Sequence, residues 1–321
     1  MAILLFEYVT GGGMAAEPLP AGLVAEAECM LTALRRELAA ERVLLLRDAR
    51  LPLTCCGTNE TVIPVASEAE FAAAWVQGLD AADYVWPLAP ETGGILADLS
   101  RRIQVAGKVL LGSRPDAVRL CGDKYATFRR LREQSIACVP TRRHDEVDAG
   151  LPPPWVVKPA DGVGCEGVRL VTGKDDLGPG LVQPYLQGKH LSLSAVFAAG
   201  KGVCLSVNRQ RIGIEAGFFH LRGCEVNVLP VSEWQDPVAR IAAAVPGLWG
   251  YAGVDLIVTA EGPVVVEINP RLTLSYAGLG EALGETVAPK VLALARGQTD
   301  IDDIARWRRR LGRGRPVEVR T

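Results

Sequence analysis

Two carboxylates and an amide are spaced in the sequence in a way that favours binding of a divalent metal ion. Glu267 and Asn269 are two residues apart in an apolar segment, and such residues share one face of a β-strand. Asp255 lies in the apolar segment just upstream, and the link 259–262 is short enough for a hairpin that places Asp255 opposite Glu267. Opposed carboxylates repel unless a cation lies between them, and hard oxygen ligands suit Mg²⁺ or Mn²⁺. A solvated hairpin with aligned acids is the alternative.

A lysine and a glycine-rich loop form a second candidate site. Lys158 ends the apolar segment 155–158, and the next loop contains Gly162, Gly164 and Glu166. Glycines let backbone N–H groups approach phosphate oxygens closely, and a lysine adds positive charge. Most of the 35 basic residues are arginines, so a lysine here is more informative than usual. The loop does not end in the Gly-Lys-Ser/Thr of a Walker A motif, and an ordinary hairpin is the alternative.

A third segment has features that suit an adenine ring. The apolar strand 181–184 runs into a turn at Gln183 to Leu186, where backbone carbonyl and N–H groups could hold adenine. Pro184 offers only its carbonyl, which is all that the adenine amino group needs. Read alone, the segment is more typical of an ordinary strand end.

The elements that must position these residues fall into two parts. Strand-like and helical patterns alternate over residues 1–112, which predicts a Rossmann-like α/β domain with a parallel sheet and helices on both faces. After a helical pattern at 115–134, short strand patterns follow one another. The part 113–321 is therefore predicted to be α+β in two lobes, with a lid lobe at roughly 138–182.

Composition narrows the possible classes of function. The chain has 321 residues and a net charge of −2, which argues against a general nucleic-acid binder. No apolar run approaches the roughly 18 residues that span a membrane, and the first residues do not resemble a signal peptide. Eight scattered cysteines, including the adjacent Cys55 and Cys56, fit a reducing cytoplasm. The arginine-rich end at 306–315 is read as a solvated helix terminus.

Taken together, the order of these motifs resembles the ATP-grasp superfamily over about 112–321, with 1–112 as the accompanying pre-ATP-grasp domain. The resemblance implies a carboxylate–amine ligase that uses ATP and Mg²⁺ and forms an acyl phosphate. It also implies site residues: Lys124 and Lys158 at the ATP phosphates, Gly162, Gly164 and Glu166 in the loop over them, Gln183 and Leu186 at adenine, Asp255, Glu267 and Asn269 at the metal, and Arg271 at the transferring phosphoryl group.

Two positions depart from patterns within the superfamily. His190 stands where a ribose-binding glutamate is usual, so a contact between His190 and ribose is left open. Gly253 stands at a position where the D-alanine–D-alanine ligases look to have an arginine. This difference makes the chain more similar to the branch of the superfamily with a Glu-x-Asn-x-Arg motif.

A narrower resemblance, to the tyramine–glutamate ligase family of methanofuran and methylofuran biosynthesis, comes from the segments 4–14, 89–96 and 208–210. It implies that the γ-carboxylate of glutamate is joined to the amine of tyramine or tyrosine. The predicted substrate residues are Asn208, with Arg209 or Arg211 for the α-carboxylate of the acid, and Glu7 or Glu91 for the ammonium of the amine.

Three other functions remain open at this point. One is a different ATP-grasp amino-acid ligase, such as a dipeptide or pyrrolysine-type synthase. Another is a dinucleotide-dependent oxidoreductase that uses the loop 11–13, although this loop lacks G-x-G-x-x-G spacing. The third is a nucleotide-binding module without catalysis.

If the chain is a ligase, we expect it to bind small-molecule substrates and to bind neither nucleic acid nor membranes. We expect a cytoplasmic location, and a homodimer is possible.

Overall fold

The computed structural model describes residues 1–52, 59–147, 150–162 and 164–320. Over these ranges the strands form one parallel and one antiparallel sheet. No helix of the described chain is both long and apolar enough to cross a membrane. The adjacent Cys55 and Cys56 lie outside the described residues.

The first sheet lies in the N-terminal part of the chain and is parallel. Its strands are β1 (Ala2–Glu7), β2 (Arg42–Asp48), β3 (Glu60–Val65), β4 (Tyr84–Leu88) and β5 (Val109–Leu110), in the spatial order β3-β2-β1-β4-β5. Its helices are α1 (Ala21–Glu37), α2 (Glu68–Ala81) and α3 (Ile95–Val105). The order reverses between β1 and β4, so the carboxyl ends of these two strands flank the crevice where doubly wound sheets bind ligands.

Helices cover both faces of this sheet, as the sequence predicts. Met30 and Leu34 of α1 pack on the face that also meets the second sheet. The helices α2 and α3 pack on the opposite face, where Trp75 is fully buried. The amino end of α2 is capped by Ser67, whose hydroxyl oxygen accepts a hydrogen bond from the N–H of Glu70 at 3.2 Å.

The second sheet carries most of the remaining chain. Its strands are β6 (Arg142–Arg143), β7 (Trp155–Lys158), β8 (Arg169–Val171), β9 (Leu181–Pro184), β10 (Lys189–Ala198), β11 (Lys201–Glu215), β12 (Phe218–Leu229), β13 (Gly250–Thr259), β14 (Gly262–Asn269) and β15 (Val317–Val319). Its helices are α4 (Pro115–Gly122), α5 (Lys124–Glu133), α6 (Gln235–Ala244), α7 (Tyr276–Leu283), α8 (Ala288–Ala295) and α9 (Ile301–Arg310).

This sheet has two lobes. The central strands follow the order β14-β13-β10-β11-β12, and β8, β7, β9 and β6 continue from β12 as a smaller lobe. Among the described residues, one ladder pair, Phe218 with Arg169, joins the two lobes in the sheet. One narrow connection between two well-paired blocks is the arrangement expected of a lid that can tilt. The domain boundary at 112 and the lid limits remain predictions.

Several elements differ from the sequence prediction. The helix predicted at 115–134 is broken at Asp123, whose carboxylate accepts hydrogen bonds from the N–H groups of Tyr125 and Ala126 at 3.0 and 2.9 Å. This cap makes Lys124 the first residue of α5. The strand β3 and the helix α7 were not predicted, because their short apolar patterns resemble loop segments. The arginine-rich end, read as a helix terminus, overlaps the last turns of α9.

Candidate active site

The two carboxylates of the hairpin face each other as the sequence predicts. In the pairing of β13 with β14, Asp255 is directly opposite Glu267 and Gly253 is opposite Asn269. The Asn269 side-chain amide donates a hydrogen bond to Asp255 Oδ2 at 3.2 Å. Burial, and next the negative charge of Glu267, raise the pKa of Asp255 well above its usual range. The pair is therefore destabilised unless a proton or a cation lies between the two groups.

These three side chains suit a magnesium ion. Among the residues that the structure describes, no cluster of three or more His, Cys, Asp and Glu side chains could hold a metal. Two carboxylates and one amide oxygen form a smaller set, which suits Mg²⁺ because this ion keeps several positions for water and phosphate. The donor chemistry of Asp255, Glu267 and Asn269 therefore fits the implied metal.

Two lysines lie beside this pair of carboxylates. Lys158 ends β7 and is 5% exposed, whereas Lys124 opens α5 with its Nζ 3.7 Å from Glu267 Oε2. Burial lowers the pKa of Lys158 to about 8; Glu267 opposes this change and Lys124 adds to it. Lys124 also donates a hydrogen bond to the carbonyl oxygen of Gly162. A phosphate chain bound here would meet two cations from different elements.

Arg271 forms a salt bridge with a carboxylate of the first domain, Glu91. Its Nε donates to both carboxylate oxygens of Glu91, at 3.1 and 3.0 Å. Glu91 follows the carboxyl end of β4, at the crevice of the parallel sheet. Burial lowers the pKa of Arg271, but Glu91 and then Glu26 and Glu267 raise it, so the pKa rises overall and the guanidinium stays charged. Glu91 is thus already paired, although it was predicted to hold a substrate ammonium.

One cavity of about 130 Å³ brings the predicted nucleotide residues together with the carboxylates. Its polar lining includes Lys158, Gln183, His190, Asp255 and Glu267, and Leu186 lies in its wall. The Gln183 side chain donates to Thr141 Oγ1 at 2.8 Å. The backbone of this segment pairs with β7, and the N–H of Tyr185 donates to the carbonyl oxygen of Pro154 at 2.8 Å. Burial lowers the pKa of His190, so its imidazole is neutral near neutral pH.

The glycine-rich loop covers the cavity and also touches the first domain. Gly164 has φ +59°, a conformation that glycine adopts without strain. Asp161 Oδ2 accepts a hydrogen bond from the N–H of Gly93 at 2.8 Å. Glu166, predicted to lie over the phosphates, is exposed. The small lobe is therefore held against both the first domain and α5 through its loop.

Comparison with known proteins identifies the fold to which this site belongs. Residues 41–118 match the model of the pre-ATP-grasp domain, and residues 121–275 match that of the ATP-grasp domain. The chain belongs to the ATP-grasp superfamily. The predicted pre-ATP-grasp domain followed by an ATP-grasp domain is therefore confirmed.

Curated ATP-grasp relatives include ligases. The tyramine–L-glutamate ligase of Methanocaldococcus fervens is 34% identical over 200 residues, covering 61% of this chain and 61% of that protein. A probable alpha-L-glutamate ligase of Xylella fastidiosa is 32% identical over 197 residues, covering 55% of this chain and 64% of that protein. The matched part spans less than two thirds of either relative.

Solved structures share the ATP-grasp fold over almost the whole chain. A putative ATP-grasp superfamily protein from Archaeoglobus fulgidus superposes with a TM-score of 0.72 at 23% identity, covering 92% of this chain and 88% of that one. An L-amino acid ligase from Bacillus licheniformis superposes with a TM-score of 0.66 at 15% identity, covering 92% and 73%. At these identities the similarity establishes the fold alone.

The prediction that Arg209 or Arg211 lies on the metal face of the ATP-grasp sheet is wrong. Ser192 of β10 pairs with both Asn208 and Asp255, so residues of even number on β11 share the face of Asp255. The two arginines point to the other face, where they form salt bridges with Glu225 and Glu318. Asn208 is on the metal face but fully buried, and its amide donates to Ser192 and Ser194.

Gln210 is a site residue that the sequence analysis overlooked. Its amide donates to Asp255 Oδ1 at 3.0 Å, and its side chain lines the cavity near His190. The alternation of β11 contains the signal, because Asn208 and Gln210 must share a face. Only the pairing with β10 shows that this face belongs to Asp255. Gln210 therefore orients a candidate metal ligand.

Replacing Gln210 with Ala should weaken metal binding without unfolding the protein. Loss of a partner that orients a metal ligand costs about tenfold or more in metal affinity. We expect the Mg²⁺ concentration for half-maximal activity to rise about tenfold, and activity to return at high Mg²⁺. Gln298→Ala, in the loop before α9, is the control. An unchanged Mg²⁺ requirement would contradict the orienting role of Gln210.

Glu7 has a local structural role in place of the substrate role predicted for it. It is 4% exposed at the end of β1, and its Oε2 accepts hydrogen bonds from the N–H and the hydroxyl of Thr10 at 2.6 and 2.8 Å. Burial is the main cause that raises the pKa of Glu7 from 4.5 to about 7, against the effect of these hydrogen bonds. Glu7 therefore fixes the turn after β1.

The shifted pKa of Glu7 predicts how stability depends on pH. Between pH 4.5 and about 7 the carboxyl is protonated in the folded state and ionised in the unfolded state, so stability falls as pH rises. Glu7→Gln has no such proton to bind on folding. Its free energy of unfolding relative to that of wild type should therefore rise by up to about 3 kcal/mol from pH 4.5 to pH 8. Urea unfolding at both pH values measures this difference. Parallel pH curves for the two proteins would contradict it.

Proposed function

We propose that this protein is an ATP-dependent carboxylate–amine ligase that forms ADP and works through an acyl phosphate. The observation that carries the proposal is the convergence of Asp255, Glu267 and Lys158 on one cavity. Asn269 is hydrogen-bonded to Asp255, and Lys124 lies beside Glu267. Mg²⁺ bound to the three oxygen ligands would neutralise negative charge on the phosphates of ATP. The names of the curated relatives, tyramine–L-glutamate ligase and probable alpha-L-glutamate ligase, also support a ligase.

In the first step, a carboxylate oxygen of the acid attacks the γ-phosphorus of ATP. The new O–P bond forms as the bond to the β,γ-bridging oxygen breaks, and ADP leaves. Lys124 and Lys158 are suited to hold the phosphate oxygens, and Arg271 to stabilise charge on the moving phosphoryl group. Arg271 can do so because Glu91 fixes its orientation from the first domain.

In the second step, the amine attacks the carbonyl carbon of the acyl phosphate. The C–N bond forms, the C–O bond to phosphate breaks, inorganic phosphate leaves and the nitrogen loses a proton. The chain's main contribution is to position the two substrates and to exclude water. The loop that contains Gly162, Gly164 and Glu166 would serve as the cover, since it already contacts Lys124 and Gly93.

For the substrates we propose the γ-carboxylate of glutamate and the amine of tyramine or tyrosine, as in methanofuran- or methylofuran-type cofactor biosynthesis. Support comes from the identity to tyramine–L-glutamate ligases over about three fifths of the chain. An enzyme with this role would act in the cytoplasm, where ATP is available.

A different amino-acid ligase of the same superfamily is the second candidate. It is favoured by the 32% identity to the probable alpha-L-glutamate ligase. The oxidoreductase alternative loses support because the loop 11–13 is packed against its own domain. A Cβ atom on Gly12 would come within 2.5 Å of Val65, which leaves little room for a dinucleotide.

The test is an ADP-release screen of acids against amines, starting with glutamate plus tyramine and glutamate plus tyrosine. We expect ADP and phosphate only when acid and amine are both present, together with an amide product. If another acid–amine pair is active and these two are not, the substrate proposal fails and the ligase proposal stands. Absence of ADP release with every pair would contradict the ligase proposal.

A further inference from the structure

Glu26 is a half-buried carboxylate on the face of α1 that packs against the second sheet. Met30 lies one helical turn further along this face and packs in the core with Cys224 and Val226 of β12. Glu26 therefore continues the line of α1 beyond this core, towards the open part of the same sheet face. Gln210 pairs with Cys224 on that face and contacts Asp255.

The negative charge of Glu26 affects the pKa values of three groups near the active site, Cys165, Cys224 and Arg271. Burial mainly raises the pKa of Cys165, in the glycine-rich loop, to about 11 and that of Cys224 to about 12. The negative charges of Asp255 and Glu26 also raise the pKa of both thiols. The charge of Glu26 also raises the pKa of Arg271, although burial and Glu91 have larger effects on it. These charge effects agree with the position of Glu26 on α1, one helical turn before Met30, which packs beside β12.

Glu26 differs from its neighbours because it forms no hydrogen bond or salt bridge with any residue that the structure describes. A carboxylate that has lost part of its water without gaining a partner favours binding of a cation. The other carboxylates around the site have partners: Glu7 with Thr10, Glu28 with Arg47, Glu91 with Arg271, Asp255 with Gln210 and Asn269, and Glu267 with Lys124.

We propose that Glu26 binds the ammonium group of a substrate, between α1 and the sheet face that carries Gln210 and Asp255. This inference rests on the ligase function proposed above, because such an enzyme must bind amines in this space. Two ammonium groups have the required chemistry. One is the α-ammonium of an amino acid whose side-chain carboxylate is activated; the other is the amine nucleophile, which is protonated near neutral pH before it binds.

The test compares wild type with Glu26→Gln and with Glu68→Gln, a control on the exposed first turn of α2. ADP release is measured with glutamate and tyramine varied in turn. Glu26→Gln should lower kcat/KM for one of them about 10- to 100-fold, the loss expected for a charged hydrogen bond. The KM for ATP and the melting temperature should not change. Glu26→Asp keeps the charge, should recover part of the loss, and serves as the variant if Glu26→Gln unfolds.

Analogues without an ammonium group identify which substrate Glu26 binds. Glutarate lacks the α-ammonium of glutamate, and its activation can be followed by trapping the acyl phosphate with hydroxylamine. If Glu26 binds the α-ammonium, glutarate is activated equally by wild type and Glu26→Gln. If it binds the amine, 4-(2-hydroxyethyl)phenol, which lacks the amine of tyramine, inhibits both proteins equally while only the variant loses affinity for tyramine.

Two outcomes are distinct failures. Equal kcat/KM values for both substrates in an active wild type and in Glu26→Gln would overturn the role of Glu26 and leave the ligase function standing. A wild type without ADP release that depends on acid and amine would overturn the ligase function, and this inference with it.

Discussion

Glu267→Gln is expected to reduce turnover by about 10²- to 10³-fold, the range for losing one group that stabilises developing charge. The variant keeps the shape of the side chain but removes one of the two carboxylates that face each other across β13 and β14. A neutral amide is a poorer ligand for a hard cation, so the need for Mg²⁺ should also increase. The measurement is ADP release at saturating substrates over a range of Mg²⁺ concentrations.

The same substitution should stabilise the protein when no metal is present. Removal of one of two opposed like charges relieves repulsion with Asp255, which is worth about 1 kcal/mol. Glu261→Gln, in the exposed turn of the same hairpin, is the matched control and should change neither quantity. Normal activity of Glu267→Gln would contradict its role as a metal ligand. Lower stability without metal would contradict the repulsion argument.

Lys158→Met is expected to lower kcat by about 10²- to 10³-fold while the fold is retained. The side chain is buried at the end of β7, and a methionine of similar length fills the same space without the charge. Because burial lowers the pKa of Lys158, an unliganded protein should tolerate loss of this cation well. Single-turnover measurement of ADP formation separates this chemical effect from product release.

Lys174→Met provides the control, because Lys174 is an exposed lysine of the same small lobe. We expect it to leave activity and melting temperature unchanged. If Lys158→Met and Lys174→Met had equal activity, Lys158 could not be a phosphate ligand. If Lys158→Met bound ATP normally but lost turnover, its charge would act on the moving phosphoryl group rather than in ground-state binding.

The facing of Asp255 and Glu267 could be predicted because its signals are local. The alternation of two strands and the short turn between them decide that Asp255 faces Glu267, and both facts can be read from about fifteen neighbouring residues. The parallel sheet of the first part follows equally from repeated strand and helix patterns. In such cases periodicity alone fixes which side chains share a face.

The substrate residues were less accessible to sequence analysis because they depend on distant pairings. Arg271 and Glu91 are 180 residues apart, and no local pattern relates them. On β11, alternation groups Asn208 with Gln210 and separates Arg209, but only the pairing with β10 decides which group faces Asp255. Charge alone made the arginines the predicted site residues. In the structure, Gln210 is the residue of this segment that contacts Asp255.

Transfer of isotopically labelled oxygen shows directly whether an acyl phosphate links ATP cleavage to amide formation. Glutamate labelled with ¹⁸O in its γ-carboxylate is incubated with tyramine, MgATP and the enzyme, and the products are analysed by mass spectrometry. One labelled oxygen should appear in inorganic phosphate and one should remain in the amide, because the bridging oxygen leaves with phosphorus. Label in AMP, or amide formation without label in phosphate, would contradict the account.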